Sequence, residues 1–240
     1  MRLKAVGTAQ GLGAAAARGL PVVAIDTLRA ATTAAAALAA GATAVLPVAA
    51  VEDAFRLREE LPRAVLGGER GMRAVAGFDA GNSPSEYTRA LVRGREVILT
   101  TTNGTLALQR ARSARALAFA ALTTAPLAAA WLTEQAADEA VIVMSGSDGH
   151  FSYEDALTAG AIAALLPRSE LDDLLLTARA AFEGRRRVLR AAMQETPHGR
   201  RLVAAGFAAD LELAARLGRS RVLPVRDPRD KRRLIGWRRA

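Results

Sequence analysis

The chain has 240 residues, of which 51% are hydrophobic and 24% charged, so it is long enough for one large α/β domain or for two lobes that share a core. It contains no cysteine and only two histidines, which excludes disulfides and a thiolate nucleophile and argues against a histidine-rich zinc site. Any metal would therefore rest mainly on carboxylates and other oxygen ligands, which points to Mg²⁺ or Mn²⁺.

The formal net charge of +9 is unevenly distributed along the chain. Residues 185–240 hold 16 of the 33 Arg and Lys but only 5 of the 24 Asp and Glu. A basic segment can bind nucleic acid, but here few aromatic side chains and no nucleic-acid motif accompany it. We expect a solvated, arginine-rich surface that ends in a basic tail over about residues 226–240, and no nucleic-acid partner.

Two segments have some features of a membrane span or a targeting signal. Residues 30–51 carry no charge, but Gly41 and Pro47 divide them into helix, turn and strand. The N-terminus has Arg2 and Lys4 but lacks the strong apolar run of a signal peptide. We therefore expect a cytoplasmic protein without membrane contact.

Apolar runs typical of buried strands alternate with helical patterns through most of the chain. Strands are predicted over residues 21–25, 42–48, 64–66, 96–100, 114–119, 140–144 and 222–225. Helices are predicted over residues 30–40, 51–61, 103–112, 123–135 and 153–166, followed by interrupted helix over 170–217. This alternation predicts a three-layer α/β/α fold with a mainly parallel sheet and a helical C-terminal portion.

Polar segments follow the predicted strands, at the edge where parallel sheets bind ligands. After the first strand, Asp26 could hold a metal or cap a helix, Arg29 could pair with a phosphate or sulfonate, and Thr32 and Thr33 lie near a helix start.

The irregular stretch over residues 67–84 is long for a loop inside a domain, which is typical of a functional segment. It contains the carboxylates Glu69 and Asp79, together with Asn82 and Ser83 as donors to anionic oxygens. The alternative is a turn-rich surface loop.

Three later segments complete the set. Residues 100–105 place Thr102, Asn103, Gly104 and Thr105 at a helix start, as either a phosphate cradle or an ordinary cap. Residues 145–155 and 196–200 supply the following candidates: Ser145, Gly146, Asp148, Glu154, Asp155, His198 and Arg200. Glu154 and Asp155 are either metal ligands or simply first-turn helix acids, and His198 is either catalytic or part of a helix junction.

The runs DTLRAATT, GFDAGNSP, TTNGT, SGSDGHFSYEDALTAG and TPHGRRL, in this order, resemble the 2-phosphosulfolactate phosphatase family. The resemblance extends from about Val22 to Val225, and GFDAGNSP and TTNGT are specific as a pair. It implies an α/β/α hydrolase that uses Mg²⁺ to convert 2-phosphosulfolactate and water into sulfolactate and phosphate, a step of coenzyme M biosynthesis in some archaea.

Our hypothesis assigns a role to each candidate. The metal or catalytic carboxylates are Asp26, Glu69, Asp79 and Asp148, and His198 is a further catalytic candidate. The substrate-binding candidates are Arg29, Thr32, Thr33, Asn82, Ser83, Thr102, Asn103, Gly104, Thr105, Ser145, Gly146 and Arg200. The attacking group is either water or a carboxylate such as Asp26.

Two other functions compete with a phosphatase of this specificity. One is a hydrolase or lyase on the same scaffold that acts on a different phosphorylated carboxylic acid. The other is a non-enzymatic binder of anions or nucleic acid. The alanine-rich composition, with few large core residues, also leads us to expect a homo-oligomer.

Overall fold

A mixed sheet forms the centre of the computed structural model, which describes residues 1–13 and 15–239. Residue 240, the last of the predicted basic tail, lies outside the described residues. The strands are β1 Arg2–Val6, β2 Pro21–Ile25, β3 Ala44–Val48, β4 Val65–Arg70, β5 Arg73–Ala74, β6 Glu96–Thr100, β7 Ala116–Ala120, β8 Glu139–Met144, β9 Glu170–Leu171, β10 Leu223–Arg226 and β11 Leu234–Trp237.

The helices lie between these strands in the chain and account for most of the C-terminal third before β10. They are α1 Ala30–Ala39, α2 Val51–Glu60, α3 Arg89–Val92, α4 Asn103–Arg110, α5 Ala125–Glu134, α6 Tyr153–Ala164, α7 Asp173–Arg185, α8 Leu189–Gln194, α9 Pro197–Ala204 and α10 Ala208–Ala214. None of the helices within the described ranges is long and apolar enough to cross a membrane.

Helices cover both faces of the sheet, as the alternation of side chains along β2 makes clear. Val22 and Ala24 belong to one apolar cluster, which they share with α1 and α4. Val23 and Ile25 belong to another, which they share with α5, α6 and α7. The predicted three-layer α/β/α architecture is therefore confirmed.

Apart from β5, which pairs antiparallel with β4 at one edge, the sheet consists of two parallel blocks with a β-hairpin between them. Its strand order is β5-β4-β6-β3-β11-β10-β7-β2-β8-β1-β9. The hairpin of β10 and β11 pairs antiparallel with β7 on one side and β3 on the other, each time through a single residue pair. From β3 to β7 the sheet contains three antiparallel pairs in succession: β3 with β11, β11 with β10, and β10 with β7. The strand direction therefore reverses three times, and the block that contains β2 and β8 runs opposite to the block that contains β4 and β6.

The structure differs from the sequence analysis mainly at the two ends of the chain. Arg2–Val6 belongs to the N-terminal segment that was considered above as a signal peptide. It forms β1 and pairs with β8 and β9. Leu234–Trp237, within the predicted basic tail, is β11 in the middle of the sheet, and its Leu234 is buried. The predicted loop over residues 67–84 also begins as strand, because β4 continues to Arg70. Division of the chain into lobes stays a prediction.

Candidate active site

A cavity of about 130 Å³ lies where the ends of four strands meet the first turn of α9. The strands are β2, β4, β6 and β8, which come from both parallel blocks. Eight predicted site residues line the cavity: Asp26, Arg29, Glu69, Asn82, Thr102, Asn103, Asp148 and His198. The structure therefore brings together residues that are separated by as much as 172 positions in the sequence.

Asp26 is the buried carboxylate of this cavity and comes directly after β2. Its Oδ1 accepts a hydrogen bond of 2.9 Å from the Ala30 N–H, in the first turn of α1. Its Oδ2 has no donor among the residues that the structure describes. Burial raises the pKa of Asp26 to about 6; the Ala30 N–H and His198 oppose this rise, and the carboxylates of Glu69 and Glu154 add to it.

His198 and Glu154 form a pair at one wall of the cavity. The His198 Nδ1 lies 3.1 Å from Glu154 Oε1, and only 3% of the Glu154 side chain is exposed. We assign the proton of this bond to Nδ1, because an ionised carboxylate can only accept. The Nε2 of His198 is then the ring nitrogen left for chemistry in the cavity.

Asp155 joins two strand ends behind the cavity. Its Oδ1 accepts from the Thr27 N–H at 2.8 Å and its Oδ2 from the Gly146 N–H at 3.1 Å. Burial raises the pKa of Asp155 well above its usual value, and the nearby carboxylates of Asp26 and Glu154 raise it further. Because both of its oxygens are occupied, Asp155 holds the ends of β2 and β8 together.

Arg29 is a buried cation held by the C-terminal helices. Its guanidinium donates to Asp210 Oδ2 at 2.7 Å and lies 4.2 Å above the ring of Phe207. Both side chains of the ion pair are 3% exposed, and Asp210 also accepts from Ser83 Oγ. The Arg29 side chain makes no other hydrogen bond with the described part of the chain, so its remaining N–H groups are available to an anion in the cavity.

The start of α4 forms another wall of the cavity. Thr101, Thr102 and Asn103 line the cavity, and the hydroxyls of Thr101 and Thr105 are 3.1 Å apart. Gly104 follows them and is buried. The free N–H groups of this helix start favour an anion, as the sequence analysis expected of a phosphate cradle.

Asp148 lies at the rim and has a clear structural role. Asp148 and Gly149, with φ of 52° and 81°, are the central residues of a two-residue turn that two hydrogen bonds of 2.9 Å close between Ser147 and His150. Asp-Gly is a preferred pair for a turn with two positive φ angles. The Asp148 carboxylate accepts from Arg201 at 2.8 Å, and both residues line the cavity.

Several predicted site residues are not part of the cavity lining. Asp79 is partly exposed and accepts from the Leu66 N–H and from Arg58. Partial burial pushes its pKa up, but these two hydrogen bonds outweigh that effect and lower it overall. The other residues outside the lining are Thr32, Thr33, Ser83, Gly104, Thr105, Ser145, Gly146 and Arg200.

Several of these residues make hydrogen bonds to the backbone segments that surround the cavity. Thr32 donates to the Thr27 carbonyl and Thr33 to the Asn82 carbonyl, at 2.7 and 2.9 Å. The Ser145 N–H donates to the Ile25 carbonyl. Arg200 instead points to an exposed position, where it donates to the Glu195 carbonyl.

The sequence analysis missed Asp210, Arg201 and the pairing of Glu154 with His198. Asp210 carries no local signal because it lies inside α10, 181 positions after its partner Arg29. Arg201 is adjacent to the predicted Arg200, and one step along a helix turns the side chain by about 100°. Glu154 was recognised as a candidate, but its partner could be identified only in the fold.

The cavity offers oxygen ligands to a metal ion. Within the described ranges, no three His, Asp or Glu side chains come close enough to hold a cation by themselves. Mg²⁺ often takes only one or two carboxylates and completes its shell with substrate phosphate and water. Asp26 with its free Oδ2, Glu69 and the oxygens of Thr101 and Asn82 line one cavity, and this set fits a divalent cation bound in that way.

Comparison with known proteins identifies the family of the chain. The model of the family described as 2-phosphosulpholactate phosphatase matches residues 9–228. A protein of Carboxydothermus hydrogenoformans is 42% identical over 204 residues, covering 85% of this chain and 84% of its own. Relatives in Symbiobacterium thermophilum and Deinococcus radiodurans are each 39% identical over 213 residues, covering 86% of this chain and 91% and 87% of theirs.

All three relatives are named probable 2-phosphosulfolactate phosphatase. The matched region contains every motif on which the resemblance rested, from Asp26 to Arg200, and also the buried partner Asp210. The resemblance is therefore confirmed, and the chain belongs to the 2-phosphosulpholactate phosphatase family.

Proposed function

We propose that the chain hydrolyses 2-phosphosulfolactate, the phosphate monoester of a small hydroxy acid. The products are sulfolactate and phosphate, and the reaction takes place in the cytoplasm. The observation that carries this proposal is Asp26, a buried carboxylate with a free oxygen, in the same cavity as the His198–Glu154 pair. The names of the relatives supply the substrate.

Two arginines at the cavity are suited to contact the acid groups of the substrate. Arg29 and Arg201 line it, beside the carboxylates of Asp26, Glu69 and Asp148, and the N-terminal residue of α4, Asn103, lines it as well. Arg29 is fixed by Asp210 and Phe207, so it meets the phosphoryl oxygens without losing side-chain freedom on binding.

Hydrolysis requires two proton movements. The bond between phosphorus and the alcohol oxygen breaks while a bond from phosphorus to water forms, so the alcohol gains a proton and the water loses one. We assign the donation to His198, whose Nδ1 is held by Glu154. The proton lost by the water passes to a phosphoryl oxygen, so the products are the alcohol and hydrogen phosphate. Asp26 acts through its free Oδ2 as a ligand of the cation described next, and it must be ionised for this role.

The family and the donor set point to a divalent metal, and we propose Mg²⁺. Asp26 and Glu69 would hold it, with Asp148 nearby at the rim, whereas Asp79 as a ligand stays a prediction. Bound Mg²⁺ would neutralise phosphate charge and polarise the phosphoryl group.

The test is phosphate release from 2-phosphosulfolactate and from 2-phospholactate, each with Mg²⁺ and with EDTA. We expect release with Mg²⁺, a preference for the sulfonate, and loss of turnover in the Asp26→Asn variant. Release from neither ester by folded protein would contradict the proposal. Release from 2-phospholactate alone would favour a different phosphorylated acid as the substrate.

A further inference from the structure

A second, larger cavity opens beside the catalytic cavity. Its volume is about 750 Å³, against about 130 Å³ for the catalytic cavity. The two share four lining residues: Ser147, Asp148, His198 and Arg201. A molecule whose phosphate lies beside His198 therefore has its organic part directed toward this outer cavity or its entrance.

The outer cavity combines flat apolar side chains with charged ones. Phe151 and Tyr153 line it together with His150, Arg200 and Arg201 and with the carboxylates of Asp148 and Glu154. Asp148 is paired with Arg201 and Glu154 with His198, so Arg200 is the arginine of this lining without a carboxylate partner among the described residues. Phe151 is 52% exposed, more than any other of the large apolar side chains that are exposed in the described chain. An aromatic side chain left open to solvent beside a catalytic cavity has the geometry of a contact for a flat ligand group.

The size of the outer cavity bears on the substrate. Ligand pockets commonly measure about 300–1,000 Å³, and the outer cavity falls within this range. An acid of three carbons with one phosphate is a small molecule by this standard and leaves most of that volume unfilled. The space and the exposed ring of Phe151 are accounted for if the organic part of some substrates extends into it.

We infer that the outer cavity binds a flat apolar group of the substrate, so that the enzyme also accepts phosphate esters of 2-hydroxy acids with an aromatic substituent. Phe151 stacks on this substituent, and Arg200 and Arg201 provide positive charge for the carboxylate. The inference rests on the proposed phosphatase function and specifies its substrate class more closely.

A matched pair of esters tests the inference. The probes are 2-phospholactate and 2-phospho-3-phenyllactate, which share the phosphate, the carboxylate and a secondary alcohol as leaving group and differ by the phenyl ring. Burial of a ring beside Phe151 should raise kcat/KM for the phenyl ester about tenfold or more over the smaller ester. Equal values, or a preference for the smaller ester, would overturn the inference.

Two variants identify the contact. Phe151→Ala should bring the ratio of the two kcat/KM values close to one. Phe55→Ala removes another exposed phenylalanine, outside both cavities, and should keep the wild-type ratio. A Phe151→Ala variant that retains the full preference would also overturn the inference.

A binding measurement separates this inference from the proposed function. Saturation transfer from the protein to the ring protons of 3-phenyllactate, the expected product, needs no turnover. We expect transfer with wild-type protein and a marked loss with Phe151→Ala. Absence of transfer to the ring rejects the inference even if 2-phospholactate is hydrolysed. Transfer without any hydrolysis rejects the proposed function, and of the inference it leaves only the contact between Phe151 and the ring.

Discussion

The Asp26 carboxylate occupies the space that a side chain at position 104 would need, and residue 104 is glycine. A Cβ at Gly104 would lie 2.6 Å from Asp26 Oδ2, 2.8 Å from the Phe119 ring and 2.9 Å from the Ala30 Cβ. The glycine is required by this close approach, because its φ is not in the left-handed region. The start of α4 thereby packs directly against the free oxygen of Asp26.

The first prediction concerns this contact. Gly104→Ala should lower both kcat and the free energy of unfolding, because the added methyl displaces Asp26 Oδ2. Gly184→Ala is the matched control, since Gly184 lies in α7 with nothing within 4 Å of its Cβ position. There, alanine should stabilise the helix by about 0.5–1 kcal/mol. Urea denaturation and phosphate release measure the two effects, and full activity of Gly104→Ala would contradict the prediction.

The second prediction concerns the pH dependence of stability. Because the folded pKa of Asp26, about 6, exceeds the ordinary value of 3.8, the folded state binds this proton more tightly. The contribution of Asp26 to stability is then greatest below pH 4 and falls as the pH rises to 6.

Asp26→Asn should lack this loss, since the amide oxygen can still accept from the Ala30 N–H. In EDTA we expect the variant to exceed the wild type in stability by up to about 3 kcal/mol above pH 7, with the difference vanishing near pH 4. Urea denaturation at pH 4 to 8 measures this, and a difference that does not vary with pH would refute it.

The third prediction concerns the metal and does not depend on activity. Mg²⁺ should raise the Tm of the wild-type protein, because a ligand that binds only the folded state stabilises it. The shift should disappear in Asp26→Asn and persist in Asp79→Asn, since Asp79 contacts Leu66 and Arg58 outside the cavity. A shift that is lost in Asp79→Asn instead would restore Asp79 as a ligand.

The fourth prediction concerns the proton given to the leaving alcohol. His198→Ala should lower kcat for 2-phospholactate by roughly 10²–10⁴-fold, the usual contribution of a general acid. For p-nitrophenyl phosphate the loss should be much smaller, because nitrophenolate leaves without protonation. Glu154→Gln should give the same pattern with smaller losses, since it removes the charge that orients the ring. Equal losses for both esters would indicate a purely structural role.

The fifth prediction concerns the buried ion pair. Asp210→Ala leaves the Arg29 guanidinium buried without its partner and should cost about 3–5 kcal/mol in unfolding free energy. Glu212→Ala, in the same helix, breaks the exposed pair with Arg190 and should cost at most about 1 kcal/mol. Chemical denaturation compares the two, and similar costs would mean that burial of the pair contributes little.

Local patterns in the sequence were enough to predict the strands that are buried on both faces. The bounds of β2 and β6 agree with the prediction residue for residue, because each is an apolar run that ends at polar residues. β1 and β11 were missed because neither is an uninterrupted apolar run. Lys4 lies inside β1, and β11 has only four residues, which include Gly236 and lie between Arg233 and Arg238.

The candidate site could be predicted from the sequence where a reactive side chain directly follows a buried strand. Asp26 follows a buried strand, and the structure places it in the cavity. The acids at the start of α6 had two explanations, and the structure supports both: Ser152 caps the helix by accepting from the Asp155 N–H, while Glu154 reaches His198. Asp79 occurs in an equally suggestive motif, but its oxygen is engaged by Leu66 and Arg58 instead.

The hairpin of β10 and β11 has a consequence for biosynthesis. The two parallel blocks that it joins are translated earlier, and each exposes a strand edge, at β3 and at β7, until residues 223–237 leave the ribosome. Open edges of this kind are prone to pair with other chains. The nascent protein therefore keeps two open strand edges until these residues emerge, and a chaperone that shields β3 and β7 would protect it during that interval.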